Sequence, residues 1–170
     1  MIQIGAKPST LDEPIEHLMA CHRRIEQRLD TLVSAGELFD AAPREALAAI
    51  AASFRFLDTN GVWHTEDEEA SLFPRLRPRL SEPETVFVEL LEDQHDEAER
   101  LYARLKNLAS QLDSPGIPAQ YAACAASLRA LYREHIRSED EILTVLARRS
   151  LNEGDLREIA AEMRTRRALP

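Results

Sequence analysis

Five histidines stand in this chain: His17, His22, His64, His95 and His135. Four of them have a glutamate four residues later, in the pairs His22/Glu26, His64/Glu68, His95/Glu99 and His135/Glu139. Residues four apart share a helix face, so each pair offers an imidazole nitrogen and a carboxylate oxygen to one neighbour. That donor mixture suits non-haem iron, and also zinc and manganese. A carboxylate can bridge two cations while neutral imidazoles cap each one. A buried glutamate without a partner is costly, so a glutamate on an apolar stripe calls for a cation or a neutralising proton.

Three of the histidines fall on apolar stripes. His22 lies among Leu18, Met19, Ile25 and Leu29, and His135 among Leu128, Leu131, Tyr132 and Ile142. His95 has Leu91 four before it and Ala98 three after it. His64 has Gly61 at i−3, so its inward placement requires a helix that runs through Asn60-Gly61.

The elements that position these residues read as helices. Glycine is scarce at 5 of 170 residues, and Ala, Leu, Glu and Arg, all good helix formers, dominate. Residues 1–11 read as an irregular lead-in. Asp12-Glu13-Pro14 reads as a helix start, an N-cap acid followed by proline in the first turn, with the end near Gly36. A second helix begins at Pro43. Asn60-Gly61 usually marks a turn, but Val62, Trp63, Leu72 and Phe73 resume helical spacing, which predicts one long helix with a local defect, closed by Pro74 and Pro78. A third helix is predicted over about 83–112, with Val86, Leu90 and Leu91 on its stripe. After Ser114-Pro115-Gly116 a fourth runs from Pro118 to about Asn152, with Ile142 and Val145 on its stripe. A short C-terminal helix is expected over 155–166.

Short loops make the antiparallel up-down-up-down four-helix bundle the economical all-α fold. One domain is expected across 1–170, with the bundle over about 12–150. Level along the bundle is a check: His22 lies about 14 residues before Gly36 and His64 about 21 after Pro43, a mismatch of roughly 10 Å at 1.5 Å per residue.

A net charge of −9 argues against nucleic acid and anionic membrane as partners. No apolar run approaches 18 residues, and Met1-Ile2-Gln3-Ile4-Gly5 lacks the pattern of a secretion signal, so the cytoplasm is the expected location. The two cysteines, Cys21 and Cys124, read as buried small apolar residues rather than as a disulfide.

The run His64-Thr65-Glu66-Asp67-Glu68-Glu69-Ala70-Ser71-Leu72-Phe73-Pro74 resembles the second-helix signature of hemerythrin-like (HHE cation-binding) domains. Cys21-His22-Arg23-Arg24-Ile25-Glu26, Gln94-His95-Asp96-Glu97-Ala98-Glu99 and His135-Ile136-Arg137-Ser138-Glu139 resemble the histidine segments of the other three helices, in the same order. The resemblance covers about residues 12–150. It implies two irons joined by an oxo or hydroxo bridge, with His22 and His64 capping one, His95 and His135 the other, and Glu68 and Glu139 bridging both. Zinc or manganese remain alternatives. Open coordination would admit dioxygen, peroxide or nitric oxide.

The chain departs from the oxygen carriers of that family. Trp63 stands where many relatives have a second histidine, and the third helix holds only His95, with Leu91 and Glu99 four residues either side. Asp140 occupies the spacing at which the carriers use aspartate, beside Glu139. Fewer imidazoles and more carboxylate make the site harder. That shifts the expectation from reversible oxygen carriage towards redox chemistry, iron handling or sensing. A ferroxidase or peroxidase-like oxidase on the same site, and a metal-free interaction module, are the alternatives. His17 reads as solvent-facing or as supporting a ligand. Glu26 and Glu99 read as supports or surface charges, and Glu66, Asp67 and Glu69 as a solvated face. Trp63, Phe73, Tyr102 and Tyr132 read first as core.

Overall fold

The structure is a computed structural model that describes residues 11–169. Residues 1–10 of the expected lead-in lie outside that range. Helix α1 spans Pro14–Leu38 and α2 spans Pro43–Phe56. The second helix continues through a π-helical stretch, Leu57–Gly61, into α3 (Val62–Asp67), a second π stretch, Glu68–Leu72, and α4 (Phe73–Leu76), then ends in a 3-10 turn at Arg77–Arg79. Helix α5 spans Glu82–Ala109. Helix α6 (Ile117–Ser138) passes through a third π stretch, Glu139–Leu143, into α7 (Thr144–Ser150). Helix α8, Glu153–Arg166, is the short C-terminal helix. There is no strand among the described residues. The molecule is a helical bundle in which α1 packs on α2 and α6, and α6 on α5.

Local sequence explains the boundaries. Helix α1 starts with Pro14 in its first turn, but its N-cap is Glu13 without a side-chain cap. Asp12 is not that cap: its carboxylate accepts a 2.7 Å hydrogen bond from Arg164 instead. The helix passes Gly36 and stops at Leu38; the glycine is needed because the Tyr121 ring packs there, and a Cβ would meet the ring at 2.9 Å. Helices α5 and α8 begin with reciprocal capping boxes, Ser81/Glu84 and Asn152/Asp155. Gly116, at φ 79°, supplies the left-handed turn before α6.

The expected defect at Asn60-Gly61 is the first π stretch, a widened turn inside a continuous helix. Such a turn accommodates one extra residue, and π bulges concentrate at functional sites. With the longer α1 it recovers about three residues, roughly 4.5 Å at 1.5 Å per residue, of the apparent level mismatch, and His22 and His64 meet with ring centroids 4.8 Å apart. Pro74 does not end the helix; it falls in α4 directly after the second π stretch, where the ladder has already been rearranged.

Two apolar clusters form the core. One contains Ile25, Leu29, Leu32, Leu105, Tyr121 and Leu128. The other contains Leu18, Leu72, Phe73, Leu91, Leu143, Ile159 and Met163. Each such buried side chain contributes about 1.5–3 kcal/mol. Along every long helix the passage from one cluster to the other crosses a histidine or a glutamate: His22 between Leu18 and Ile25, His95 between Leu91 and Ala98. Val86, Leu90, Ile142 and Val145 are exposed rather than core. The inward stripe of α5 runs one position over, through Val88, Leu91 and His95. The π stretch at Glu139 advances the register so that Leu143, Leu146 and Ala147 face inward instead of Ile142 and Val145.

Candidate metal centre

Six side chains converge in the layer between the two clusters. His22 comes from α1, His64 from α3, His95 from α5 and His135 from α6, while Glu68 and Glu139 each open a π stretch. Both glutamates are 0 % exposed. They divide the set into two overlapping groups, His22/His64/Glu68/Glu139 and Glu68/His95/His135/Glu139; within each group one ligand atom per residue lies within 4.8 Å of all the others.

The inner imidazole nitrogens face the carboxylates. His22 Nε2 lies 3.1 Å from Glu139 Oε2 and 3.9 Å from Glu68 Oε1. His64 Nε2 is 3.5 Å from Glu68 Oε1, His95 Nε2 is 3.4 Å from Glu68 Oε2, and His135 Nε2 is 3.2 Å from Glu139 Oε1. None of the four carboxylate oxygens nonetheless finds a properly directed hydrogen bond among the described residues, and neither does His22 Nε2. His95 Nε2 and His135 Nε2 lie 3.0 Å apart within hydrogen-bond reach of each other; the carboxylate oxygens and His22 Nε2 crowd together without pointing at one another and so face a common centre. Metal–ligand bonds of about 2.1 Å put neighbouring ligands roughly 3.0 Å apart and opposite ones roughly 4.2 Å, which is the range of spacings found here.

The outer nitrogens are held by acceptors. His22 Nδ1 lies 2.8 Å from Asp140 Oδ1, His95 Nδ1 2.8 Å from Glu69 Oε1, and His135 Nδ1 2.9 Å from Gln94 Oε1. An acceptor there places the ring proton on Nδ1 and leaves the Nε2 lone pair facing the centre. Asp140 is itself held by the Arg23 guanidinium. His64 Nδ1 is buried and has no such partner among the described residues.

The electrostatics call for positive charge. Desolvation pushes Glu68 towards protonation, but the imidazoles of His64, His22 and His95 more than reverse it and hold the carboxyl well below its ordinary range. Glu139 is lowered as well, desolvation and Glu68 being outweighed by His135 and His22. Burial works against charge on His22, yet Asp140, Glu139 and Glu68 together raise it to about 12. His95 is raised to about 9 by Glu68, Glu139 and Glu69 against the same opposing desolvation. His64 is lowered, because burial dominates there. Protons on His22 and His95 therefore supply part of the positive charge that two buried carboxylates demand.

The hemerythrin HHE cation binding domain profile matches residues 13–147. The chain belongs to the hemerythrin HHE cation binding domain family. A search of curated proteins finds no match. The matched span of this hemerythrin domain contains all six convergent residues, and α8 lies beyond it.

The remaining residues sort clearly. His17 is outside both groups; burial, with Arg167 and Arg24 nearby, lowers it to about 4. Glu26 turns to Arg23 at 3.2 Å, and Glu99 is exposed. Cys21 and Cys124 are both free and buried. The expected solvated face holds at Glu69, which is exposed yet also partners His95, and is overturned at Asp67. Asp67 is 0 % exposed and clamped from α8 by Arg166 at 2.7 Å and Arg167 at 2.7 and 3.1 Å. Phe73 lies parallel to the His95 ring at a 6.3 Å centroid distance, and Tyr132 meets His135 edge-on at 6.1 Å. Gln94, Glu69 and the Asp67 clamp carry no periodic signal, because their partners come from other helices. Only the adjacency of Gln94 to His95 and of Glu69 to Glu68 hints at them.

Proposed function

We propose that this hemerythrin domain binds two non-haem irons and uses them to interact with dioxygen, peroxide or nitric oxide, or to sense or handle iron. In this reading His22 and His64 hold one ion, His95 and His135 the other, and Glu68 and Glu139 bridge them. The observation that carries it is the pair of fully buried glutamates whose oxygens lack directed hydrogen bonds while four imidazole Nε2 atoms face them. The mixture of imidazole and carboxylate favours iron over softer-ligand metals, with zinc and manganese as the alternatives. Iron there would supply a one-electron redox couple and an open coordination position.

The chain's own residues do the rest. Asp140, Glu69 and Gln94 fix the rings of His22, His95 and His135. Phe73 stacks beside His95 and Tyr132 meets His135 edge-on, so both rings are packed by aromatic neighbours. The reading takes the chain as one domain with its long helices in up-down-up-down order. Gly36 at the end of α1 meets Tyr121 near the start of α6, while Glu16 near the start of α1 pairs with Arg148 of α7, as antiparallel packing requires. No helix among the described residues is long and apolar enough to cross a membrane, and the reading places the protein in the cytoplasm, where free thiols persist.

Metal analysis after anaerobic reconstitution with Fe(II) tests the proposal. About two equivalents are expected, and less than about half an equivalent would sink it. Multiple turnovers with Fe(II) and dioxygen, or with peroxide, would instead assign a ferroxidase or peroxidase-like oxidase to the same residues.

A further inference from the structure

The two sides of the His/Glu layer differ in the space beside them. A void of only about 10 Å³ touches His22, among Leu18, Leu72 and Leu143. A cavity of about 320 Å³ reaches His95 from the surface between α3, α5 and α6. A diatomic gas fills no more than one or two water volumes, at about 30 Å³ each. Space of 320 Å³ is where small organic ligands begin to fit, within a usual range of about 300–1,000 Å³.

The cavity wall is apolar and aromatic. Leu57, Val62 and Leu128 line it, with Tyr102 and Tyr132. The Lys106 ammonium lies 5.4 Å from the Tyr102 ring centroid, so one aromatic face here already accepts a cation. That ammonium is paired with Asp58 at 2.9 and 3.1 Å.

The mouth carries one sign of charge. Glu66, Asp96 and Glu99 line the cavity at exposed positions. None of them pairs with a cation among the described residues; Arg100, next in sequence to Glu99, turns to Glu97 instead. Glu69 adds a fourth carboxylate, with one oxygen committed to His95. An anion meets like charge at such an entrance, whereas a cation with an apolar body matches both mouth and wall.

We infer that this cavity is a binding site for a small organic cation, an ammonium carrying an aryl or alkyl group, whose apolar part lies against Leu57 and Leu128 and whose charge lies near Tyr132 and the acidic mouth. Of the six convergent residues only His95 lines the cavity, so the site does not depend on the iron reading.

Benzyltrimethylammonium is the probe. Its permanent charge neither titrates nor ligates a metal. The full chain is loaded with zinc, so that Glu68 and Glu139 are neutralised, its metal content is measured, and the probe is titrated by calorimetry. One-to-one binding is expected, and no binding of phenylmethanesulfonate, an anion of similar shape. Glu66→Gln with Glu99→Gln should weaken the probe about fivefold, two partly screened charges being removed. Val62→Trp, at a position already half exposed, should block the cavity without disturbing the core and abolish binding. No saturable binding, equal binding of the anion, or unchanged affinity in both variants would overturn the inference. So would rim variants that slow metal uptake while no ammonium binds, because the carboxylates would then serve metal entry alone. Failure to take up zinc contradicts the metal centre instead; the same titration on the metal-free chain, compared with its rim variants, still decides the cavity.

Discussion

The His22–His64 half and the His95–His135 half share Glu68 and Glu139 and differ in what surrounds them. The first is sealed. Its adjoining void is about 10 Å³, α8 packs against α1 and α3, and Asp67, one residue before Glu68, is locked to the end of α8 by Arg166 and Arg167. The second is open, with about 320 Å³ of cavity leading to His95, and its supporting Glu69 is 41 % exposed. Two nearly identical donor sets have thus been given different access. On the proposed function, the sealed half would hold an ion and the open half would let something approach one.

The largest effect should come from removing what the halves share. Glu68→Ala or Glu139→Ala takes a bridging carboxylate from both groups, so metal content after reconstitution should fall from about two equivalents to below about half. Removing one imidazole from each half should separate them. His22→Ala and His95→Ala are each expected to lose one ion, but added imidazole should restore it only to His95→Ala, because only that half has room for a free ring to enter. Equal rescue of both, read by metal analysis, would erase the contrast.

The seal can also be broken from outside. Arg167→Met leaves Asp67 buried with half its partners, and loss of a buried ion-pair partner costs about 3 kcal/mol or more. Chemical denaturation should show that loss, while imidazole access to the His22 side should rise towards that of the His95 side.

The smallest predicted effect is on pH dependence. In the metal-free protein His22 is raised to about 12 and His95 to about 9, both above the unfolded value of 6.5. A histidine raised in the folded state contributes stability that is complete below the unfolded pKa and is lost as pH rises through the folded one. Melting temperature of the metal-free protein should therefore decline between about pH 7 and 9 as the open half loses its proton, with the sealed half holding its own beyond that window. The metal-loaded protein, with both protons already displaced, should show no such decline.

Much of this convergence was legible in the sequence because its residues obey a helical rule. The histidines at 22, 64, 95 and 135 and the glutamates at 68 and 139 fall on inward faces, and the structure brings all six together. The interruption at Asn60-Gly61 was visible, though its form, a π stretch rather than a turn, depends on the packing of the whole helix. What supports the donors was not legible. Glu69 reads as a surface charge beside Glu68, and only the arrival of α5 makes it the partner of His95. Asp67 reads as part of an acidic run, and only α8, about a hundred residues later, buries it. Val145 looked apolar and inward, but a π stretch at Glu139 turned the register past it. Periodicity reports which face a residue takes on its own helix and says nothing of what another helix brings to it.

The proposed function requires two ions in one layer, shared by Glu68 and Glu139. Anomalous diffraction at the iron edge from crystals of the reconstituted protein tests it most directly. Two peaks are predicted, about 3–4 Å apart, one bonded to His22 and His64 and the other to His95 and His135 at about 2.0–2.2 Å. A single peak, or iron bound away from these six residues, would contradict it.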